Sequence, residues 1–486
     1  MEAEAVSCDS PGAQNSSSAR SSSRFSQSWS SALLCLMSAL VVNAAPNAQL
    51  TATAINATNI AVGWPSRGAL ETTTNASSNW NTLTNATNPH TNATTNAVRF
   101  FRLNQTVDTT TMRKKVMCGY QGWFRAPGDG GSTWIHWSRD PNQITTNTVT
   151  FEMWPDLTEY SAAEKFNAGS FTHPGGAQAQ LFSSQNSNTV NRHFDWMLEH
   201  GIDGVYVQRF VGDINGRPWM TNVLNHARAA ANRTGRALAL TYDMSGAPTN
   251  TLFATLTNDW RWLAQSGVAA DPRYLHHNGK PVLMVWGFFT DRISTNLAHQ
   301  IIGWFKTNDI QPVTLVGGCQ WWWRTDTTAG WSNVFRRFDV ISPWNVGNYA
   351  TSGTNKFAST GYWSADYQAA TNAGMMYLPV VYPGFSWDNQ QQLAPGTSLI
   401  PRMGGNFLWQ QFYDARKLNF DMAYVAMFDE VDEGTAIFKV SNTPPTQGHW
   451  VTYDGKPADW YLRLTAEGTK MLVGERPITS TIPITP

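Results

Sequence analysis

Eight short apolar runs recur at fairly regular intervals along the chain, and this repetition limits the folds that it can adopt. The runs lie at 116–124, 203–210, 237–244, 281–289, 313–323, 339–347, 375–385 and 423–431. Helix-like segments separate them, such as 190–201 and 222–235, each of which ends on a glycine as helices often do. Apolar strands that alternate with helices indicate parallel strands buried on both faces. Eight such units predict an α/β fold with a single (β/α)8 TIM barrel.

The other parallel fold is a doubly wound open sheet. No glycine-rich phosphate loop follows any of the runs, whereas polar or aromatic residues end nearly all of them. In a barrel these carboxyl ends converge on one active face, so we expect substrate-binding residues there. The long segment 125–189 should lie over the same face. The predicted substrate-binding residues are Tyr120, Trp123, His136, Trp137, Asp156, Arg209, Asp243, Trp286, Gln320, Trp322, Tyr382 and Trp387.

Several of these candidates also have a structural alternative. Trp123 could plug the barrel rim, and His136 could be a hydrogen-bonded structural histidine. Asp243 could cap a helix, and Asp156 could cap its own loop. Arg209 could form an ion pair with a neighbouring carboxylate. The residue types and positions leave these alternatives open.

Charge and aromatic content indicate the kind of partner. Lys+Arg and Asp+Glu both number 34, so nothing favours nucleic acid or an anionic membrane. The 23 Trp residues offer flat apolar faces with one N–H donor, which suit a carbohydrate. Trp321, Trp322 and Trp323 cannot all face one way on a strand, so we expect Trp322, or the pair beside it, to line the cleft. No metal-ligand spacing and no cofactor motif occurs, so we predict neither.

The stretch MFDEVDEGT, 427–435, places four acidic residues at the end of the eighth run. Hydrolysis of a glycosidic bond generally uses two carboxyl groups, and a spacing of three lets Glu430 and Glu433 face one pocket. One alternative is a solvated acidic turn, but a buried strand leads into the acids. The other is a metal site, but no histidine accompanies them. We therefore predict Glu430 and Glu433 as the catalytic residues.

The segment Asp429–Thr435 resembles the strand-eight signature Asn-Glu-Trp-x-Glu-Gly-Thr of glycoside hydrolase family 99, which comprises endo-α-mannosidases and endo-α-mannanases. The resemblance extends to Tyr120, Trp123, His136-Trp137 and 382–387, and it covers roughly 98–474. The segment also resembles secreted bacterial proteins called family 71/99-like. Two positions depart from the signature, since Asp429 replaces Asn and Val431 replaces Trp. These departures leave the sugar specificity open.

This resemblance implies a (β/α)8 barrel and a retaining mechanism without a glycosyl-enzyme. The residue that matches Glu430 would deprotonate the sugar 2-hydroxyl, which attacks the anomeric carbon. The residue that matches Glu433 would protonate the leaving group and then activate water. The alternative function is a catalytically inactive carbohydrate-binding barrel.

The N-terminal region has the composition of an export segment. After Arg20 and Arg24 comes an apolar stretch of signal-peptide length, with small residues at Val42 and Ala44. We predict a signal peptide region over 1–44, cleavage after Ala44, and a secreted or periplasmic protein. No stable membrane insertion is expected after cleavage.

The rest of the chain divides by composition. Residues 45–97 are rich in Asn, Thr and Ser, which predicts a linker or lead-in, although 50–64 alternates like one or two strands. The barrel is expected over 98–474, and 475–486 is expected to be a C-terminal tail.

Overall fold

The computed structural model describes residues 50–486 except 57–58, 65–66, 75–78, 85, 94–98 and 217. The predicted signal peptide and its cleavage site therefore lie outside the described residues. The chain divides into two compact units, and the boundary falls between Gln105 and Thr106.

The first unit contains two small antiparallel sheets. Its strands are β1 (Thr51–Asn56), β2 (Asn59–Gly63), β3 (Ala69–Thr73), β4 (Asn81–Thr82), β5 (His90–Ala93) and β6 (Phe100–Asn104). The strand orders are β1-β2-β5 and β4-β3-β6. Val62, Leu70, Phe101 and Leu103 form a small buried cluster with Leu50.

These strands correct the expectation of a linker over 45–97 and confirm the strand-like alternation within 50–64. The low apolar content of the segment favoured a linker because such a composition buries little surface by itself. Phe101 and Leu103 lie beyond the expected boundary at residue 97, yet they supply part of the buried cluster.

The second unit has the following strands: β7 (Lys115–Tyr120), β8 (Lys165–Thr172), β9 (Gln178–Phe182), β10 (Gly204–Phe210), β11 (Ala237–Asp243), β12 (His276–His277), β13 (Lys280–Phe288), β14 (Thr314–Gln320), β15 (Val340–Trp344), β16 (Tyr349–Ser352), β17 (Asn355–Ala358), β18 (Met376–Tyr377), β19 (Val380–Val381) and β20 (Met422–Val425). The pairs β8–β9 and β16–β17 are antiparallel hairpins, and β12 pairs antiparallel with β13.

The remaining strands form a parallel sheet in the order β18-β15-β14-β13-β11-β10-β7-β20-β19. The short strands β18 and β19 share the seventh barrel position, because β18 pairs with β15 and β19 pairs with β20. Leu378 and Pro379 lie between them, and a proline cannot donate a ladder hydrogen bond. The sheet thus closes on itself, which confirms the predicted (β/α)8 barrel.

The α-helices of the described residues alternate with the strands along the chain, and the last helix follows the last strand. They are α1 (Ser187–Glu199), α2 (Trp219–Thr234), α3 (Thr249–Gln265), α4 (Thr295–Thr307), α5 (Trp331–Phe335), α6 (Trp363–Asn372), α7 (Asp388–Gln391), α8 (Asn406–Lys417) and α9 (Trp460–Leu472). The helices predicted near 190–201 and 222–235 are confirmed, and α2 ends at Gly235 with a φ of 70°. None of the described helices has the length and apolar character needed to cross a membrane.

Alternate residues of each barrel strand pack into two different apolar clusters. On β10, Tyr206 belongs to a cluster with members from strands all around the ring, which is therefore the barrel interior. Val205 and Val207 belong to a larger cluster that also contains helix residues such as Leu224. Because side chains of a strand alternate between its faces, this register decides which strand-end residues can reach the cleft.

The C-terminal segment 475–486 packs against the last two helices. The Thr479 carbonyl accepts a hydrogen bond of 3.1 Å from the Trp409 indole, and the Thr485 carbonyl accepts one of 2.7 Å from Arg463. Ile482 and Ile484 lie against the main apolar core. The expected tail is therefore an ordered part of the second unit.

Candidate active site

The acidic loop that follows β20 is buried in the mouth of the barrel. Asp429, Glu430 and Asp432 are at most 4% exposed, and Glu433 is partly exposed. The Phe428 amide donates to the Gly119 carbonyl at 2.8 Å, so the chain remains next to β7 as it leaves β20. A solvated acidic turn is thus excluded.

Two neighbouring segments fix the shape of this loop. Arg402 donates from Nη2 to the carbonyls of Gly434 and Ala436, both at 2.7 Å. The Ser386 amide donates to the Glu433 carbonyl at 3.0 Å. Gly434 has a φ of +60°, and a Cβ there would lie 3.1 Å from the Ser386 nitrogen. The backbone angle therefore favours glycine at this position of the motif, and a side chain there would also crowd Ser386.

Asp429 binds backbone rather than solvent. Its carboxylate accepts the amides of Gln121 at 2.8 Å and Gly122 at 2.9 Å. Burial raises the pKa of Asp429 to about 7, although these two hydrogen bonds act in the opposite direction. Asp429 thereby ties the turn after β7 to the acidic loop.

Glu430 is held by two hydrogen bonds to its side chain. Gln121 Nε2 donates to Oε1 at 2.6 Å, and Thr435 Oγ1 donates to Oε2 at 3.0 Å. Burial raises the pKa of Glu430 well above its usual range, and the carboxylates of Glu433 and Asp432 raise it further. The carboxyl group is therefore oriented by the protein and lies close to two other acids.

Glu433 is the acid of this loop that lines an open cleft. Burial raises its pKa to about 7, and the nearby charges of Asp432 and Asp243 raise it in the same direction. A carboxyl group with a pKa near neutrality can keep a proton for donation at working pH.

Asp432 connects the acidic loop to an aromatic stack. Its Oδ2 lies 3.2 Å from His136 Nδ1. The His136 ring stacks on Trp123 with centroids 3.7 Å apart, and Trp123 in turn stacks on Phe210 at 4.8 Å. Burial raises the pKa of Asp432 well above its usual range, and the Trp123 indole acts in the opposite direction. His136 therefore contacts the acidic loop at Asp432, and Trp123 supports the His136 ring.

The cleft that Glu433 lines has a volume of about 700 Å³. Among the predicted residues, Gln320, Trp322 and Trp387 lie in its wall. The wall also contains Trp321 and Trp344, whereas Trp323 is buried and donates its indole N–H to Asp366 at 2.8 Å. Their role in binding a substrate stays a prediction.

Two further predicted residues face the barrel interior. Asp243 is close enough to raise the pKa of Glu433, and its Oδ1 accepts the Ser245 amide at 2.7 Å. Trp286 packs against Trp344, with ring centroids 5.5 Å apart. Asp243 therefore caps its own turn and also contributes charge to the site.

The structure places Tyr120 and Arg209 on the outer face of the barrel, which corrects their assignment to substrate binding. The Tyr120 hydroxyl lies 2.9 Å from His193 Nδ1 within the main apolar core. Arg209 forms a buried ion pair with Asp259 of α3, and its Nε donates at 2.8 Å. Both side chains point to the helices because each occupies the outward position in the alternation of its strand.

Trp137, Tyr382 and Asp156 also lie outside the cleft wall. The Trp137 indole donates to the Phe182 carbonyl at 3.0 Å, and the Tyr382 hydroxyl donates to the Asn348 carbonyl at 2.6 Å, with both side chains fully buried. Asp156 lines a separate cavity and accepts the Thr158 amide at 2.8 Å. Asp156 therefore caps its own loop.

Glu152 is a buried acid that the sequence did not single out. Its carboxylate accepts hydrogen bonds from the Ser386 hydroxyl at 2.8 Å and the Asn389 amide at 2.6 Å. Burial raises its pKa to about 7, and Asp388 and Asp432 contribute in the same direction. The Glu152 amide pairs with the Val431 carbonyl at 2.8 Å, a contact that no local pattern indicates.

Gln121 was also missed as an individual residue, although it lies within the resembling segment. Its role depends on contact with Glu430, 309 positions along the chain. No group of His, Cys, Asp or Glu within the described ranges is arranged to hold a metal ion.

Among solved structures, the chain is similar to the GH99 endo-alpha-mannosidase from Bacteroides thetaiotaomicron. In the complex with bis-tris propane the TM-score is 0.54 at 14% identity, covering 75% of this chain and 99% of that chain. A second structure of that enzyme gives a TM-score of 0.55 at 14% identity, covering 74% and 98%. The chain shares the family 99 fold. No family model and no curated protein matches the sequence.

The two residues that depart from the family 99 signature are both fully buried. Val431 is fully buried in the apolar core between the barrel and its helices, so its side chain does not line the cleft. Asp429 uses both carboxylate oxygens to accept backbone amides. An asparagine there could accept with only one oxygen.

Proposed function

We propose that this protein is a glycoside hydrolase that cleaves a polysaccharide or oligosaccharide with retention of configuration. The observation that carries the proposal is Glu433, a carboxyl with a pKa raised to about 7 in the wall of an aromatic cleft. Glu430 lies beside it, with a carboxyl oriented by Gln121 and Thr435. This arrangement supports a pair of carboxyl groups that divide acid and base roles.

In the proposed first step, Glu430 removes the proton of the sugar 2-hydroxyl while that oxygen bonds to the anomeric carbon. The bond to the leaving group breaks, and Glu433 gives its proton to the leaving oxygen. In the second step, water adds to the anomeric carbon and Glu433 takes a proton from it. The bond between the 2-oxygen and the anomeric carbon breaks as Glu430 returns its proton. The first step requires that Glu430 is ionised and Glu433 is protonated, so the two neighbouring carboxyl groups hold one proton between them.

The substrate class is the first question for experiment. The structurally similar enzyme is an endo-alpha-mannosidase, so α-mannans head the panel. α-1,3-Glucan and arabinoxylan complete it. Product masses identify the polymer that is cleaved, and the anomeric configuration of the first product tests retention.

Glu430→Gln and Glu433→Gln test the assigned roles. General acid or base groups typically contribute 10²- to 10⁴-fold, so we expect each variant to lose about 10³-fold in kcat. Asp156→Asn is the control, because Asp156 lines a separate cavity and should leave kcat unchanged. Full activity of either glutamate variant would overturn the mechanism. Binding of a polysaccharide without cleavage by the unaltered protein would instead support a carbohydrate-binding barrel.

We also propose that the chain is exported, on the basis of its apolar N-terminal stretch and the small residues at Val42 and Ala44. The mature protein would then begin at Ala45. N-terminal sequencing of protein recovered from culture medium or periplasm tests this, and an intact N-terminus would contradict it.

A further inference from the structure

The aromatic cleft lies on the Glu433 side of the acidic pair. Glu433 is part of the cleft wall, whereas Glu430 is 4% exposed and directed to Gln121 and Thr435. A general acid must stand next to the leaving oxygen that it protonates. If Glu433 is that acid, as proposed above, the cleft beside it receives the leaving group rather than the sugar that reacts at its anomeric carbon.

The charges of the cleft favour a neutral ligand. Glu433 and Lys356 are the charged residues among the described residues that line it. Lys356 Nζ donates to the Leu399 carbonyl at 2.6 Å and lies 4.7 Å from the centre of the Tyr349 ring. The lysine thus holds the hairpin β16–β17 against the neighbouring loop. When Glu433 holds its proton as the acid, Lys356 is the remaining charged group among the described residues of the wall, and it is already engaged, so the cleft offers no free cation to an acidic sugar.

Two exposed tryptophans provide the contact surface. Trp322 is 48% exposed and Trp387 is 38% exposed, which is unusual for large apolar side chains. Each is supported by a second ring, since Trp322 packs edge-on against Trp321 at 5.4 Å and Trp387 against Phe385 at 5.3 Å. Each tryptophan is therefore supported on one side and exposed on another, and a flat apolar face with an N–H donor suits a sugar ring.

We infer that this cleft binds the leaving-group portion of the substrate, a neutral oligosaccharide chain that stacks on Trp322 and Trp387. The cleft volume of about 700 Å³ lies within the usual range for ligand sites, roughly 300–1,000 Å³. This inference rests on the proposed function because it takes Glu433 as the acid. The inference adds two points to the proposed function. The cleft binds the part of the substrate on the leaving-group side of the scissile bond, and the ligand that it binds is uncharged.

A comparison of two substrates tests the side of the bond. Both carry the same reacting sugar, but one is an oligosaccharide and the other is the glycosyl fluoride, which has no sugar in its leaving group. We expect Trp322→Ala and Trp387→Ala to lower kcat/KM about tenfold for the oligosaccharide and to leave the fluoride unchanged. Trp322→Phe keeps a ring and should recover part of the loss. Trp262→Ala, an exposed tryptophan of α3 outside the cleft wall, is the matched control.

An equal loss on both substrates would overturn the inference and leave the proposed hydrolase intact. Calorimetric titration of the unaltered protein with short sugars tests the inference separately from the proposed hydrolase activity. We expect binding of neutral α-mannobiose, α-1,3-glucobiose or xylobiose, weakened in Trp322→Ala, and weaker binding of digalacturonic acid. Binding of none of the neutral sugars, or preference for the acidic one, would contradict the inference even if the protein hydrolyses a substrate. A protein that binds a neutral sugar in this cleft but hydrolyses nothing would overturn the proposed function instead.

Discussion

At the scale of single residues, the four acids of the loop after β20 have four different environments. Asp429 accepts backbone amides, Asp432 contacts His136, Glu430 is oriented by Gln121, and Glu433 lines the cleft. Four identical charges would repel one another in a buried loop. Burial is the largest cause of the raised pKa of each of the four acids. The loop therefore retains protons near neutral pH.

Gln121 is expected to position the base. Gln121→Leu removes the donor to Glu430 Oε1 while keeping the volume of the side chain. A hydrogen bond to a charged group contributes about 1.5–3 kcal/mol, so kcat should fall about 10- to 100-fold with little change in KM. Steady-state kinetics on a polysaccharide of the panel that the unaltered protein cleaves measures this.

Gln368→Leu is the control for that variant, because Gln368 is exposed on α6, far from the acidic loop in sequence, and donates a hydrogen bond to Asn372 at 2.8 Å. A loss confined to KM, or equal losses in both variants, would show that Gln121 does not orient the base.

The pH dependence of activity should reflect Glu433. As the general acid it must be protonated, and its pKa is raised to about 7, so kcat/KM should fall as pH rises through about 7. Asp432 is a charge that raises this pKa, so Asp432→Asn should move the alkaline limb to lower pH. Measurements of kcat/KM from about pH 4 to about pH 9 locate this alkaline limb of the pH profile. Asp421→Asn, which removes a surface partner of Arg113, should leave it in place. A limb that moves to higher pH in Asp432→Asn would contradict this assignment.

At the scale of elements, the site is assembled from segments that are distant in sequence. The turn after β7 meets the loop after β20 through Asp429, and the long loop between β7 and α1 meets it through Glu152. Arg402, which precedes α8, fixes the other side of the loop. Its guanidinium lies 4.5 Å from the Tyr461 ring of α9. The acidic loop is therefore held from several directions rather than by its own sequence.

Glu152 should make stability depend on pH. Its pKa is raised from 4.5 to about 7 in the folded protein, so the folded state holds the proton more tightly than the unfolded state. The resulting stabilisation is fully present below about pH 4.5 and is lost as pH rises through about 7. Glu152→Gln has no such proton, so the difference in Tm between about pH 5 and about pH 8 should be smaller than in the unaltered protein.

Thermal unfolding followed by circular dichroism measures this difference. Asp309→Asn removes an exposed carboxylate and should leave the pH dependence unchanged. A Glu152→Gln variant with the full pH dependence would show that another group is responsible.

At the scale of the whole molecule, the barrel was predictable because its strands are buried on both faces and so appear as uninterrupted apolar runs. The observed strands β7, β10, β11 and β13 begin within two residues of the predicted runs. The first unit was less predictable, because its small cluster draws Phe101 and Leu103 from beyond the expected boundary. The fold shared with a family 99 enzyme agrees with the resemblance read from the acidic motif.

The sequence by itself determined the barrel, the position of the acidic motif at the end of its last strand, and the aromatic character of the cleft. Only the tertiary structure decided which strand-end residues face that cleft. Trp286 and Phe288 are two positions apart on β13, yet they lie in different clusters because the pairing register shifts between them. Strand alternation puts neighbours on opposite faces, and a single shift exchanges those faces. The amino-acid sequence therefore identifies the candidate substrate-binding residues, and the strand register decides which of them face the cleft.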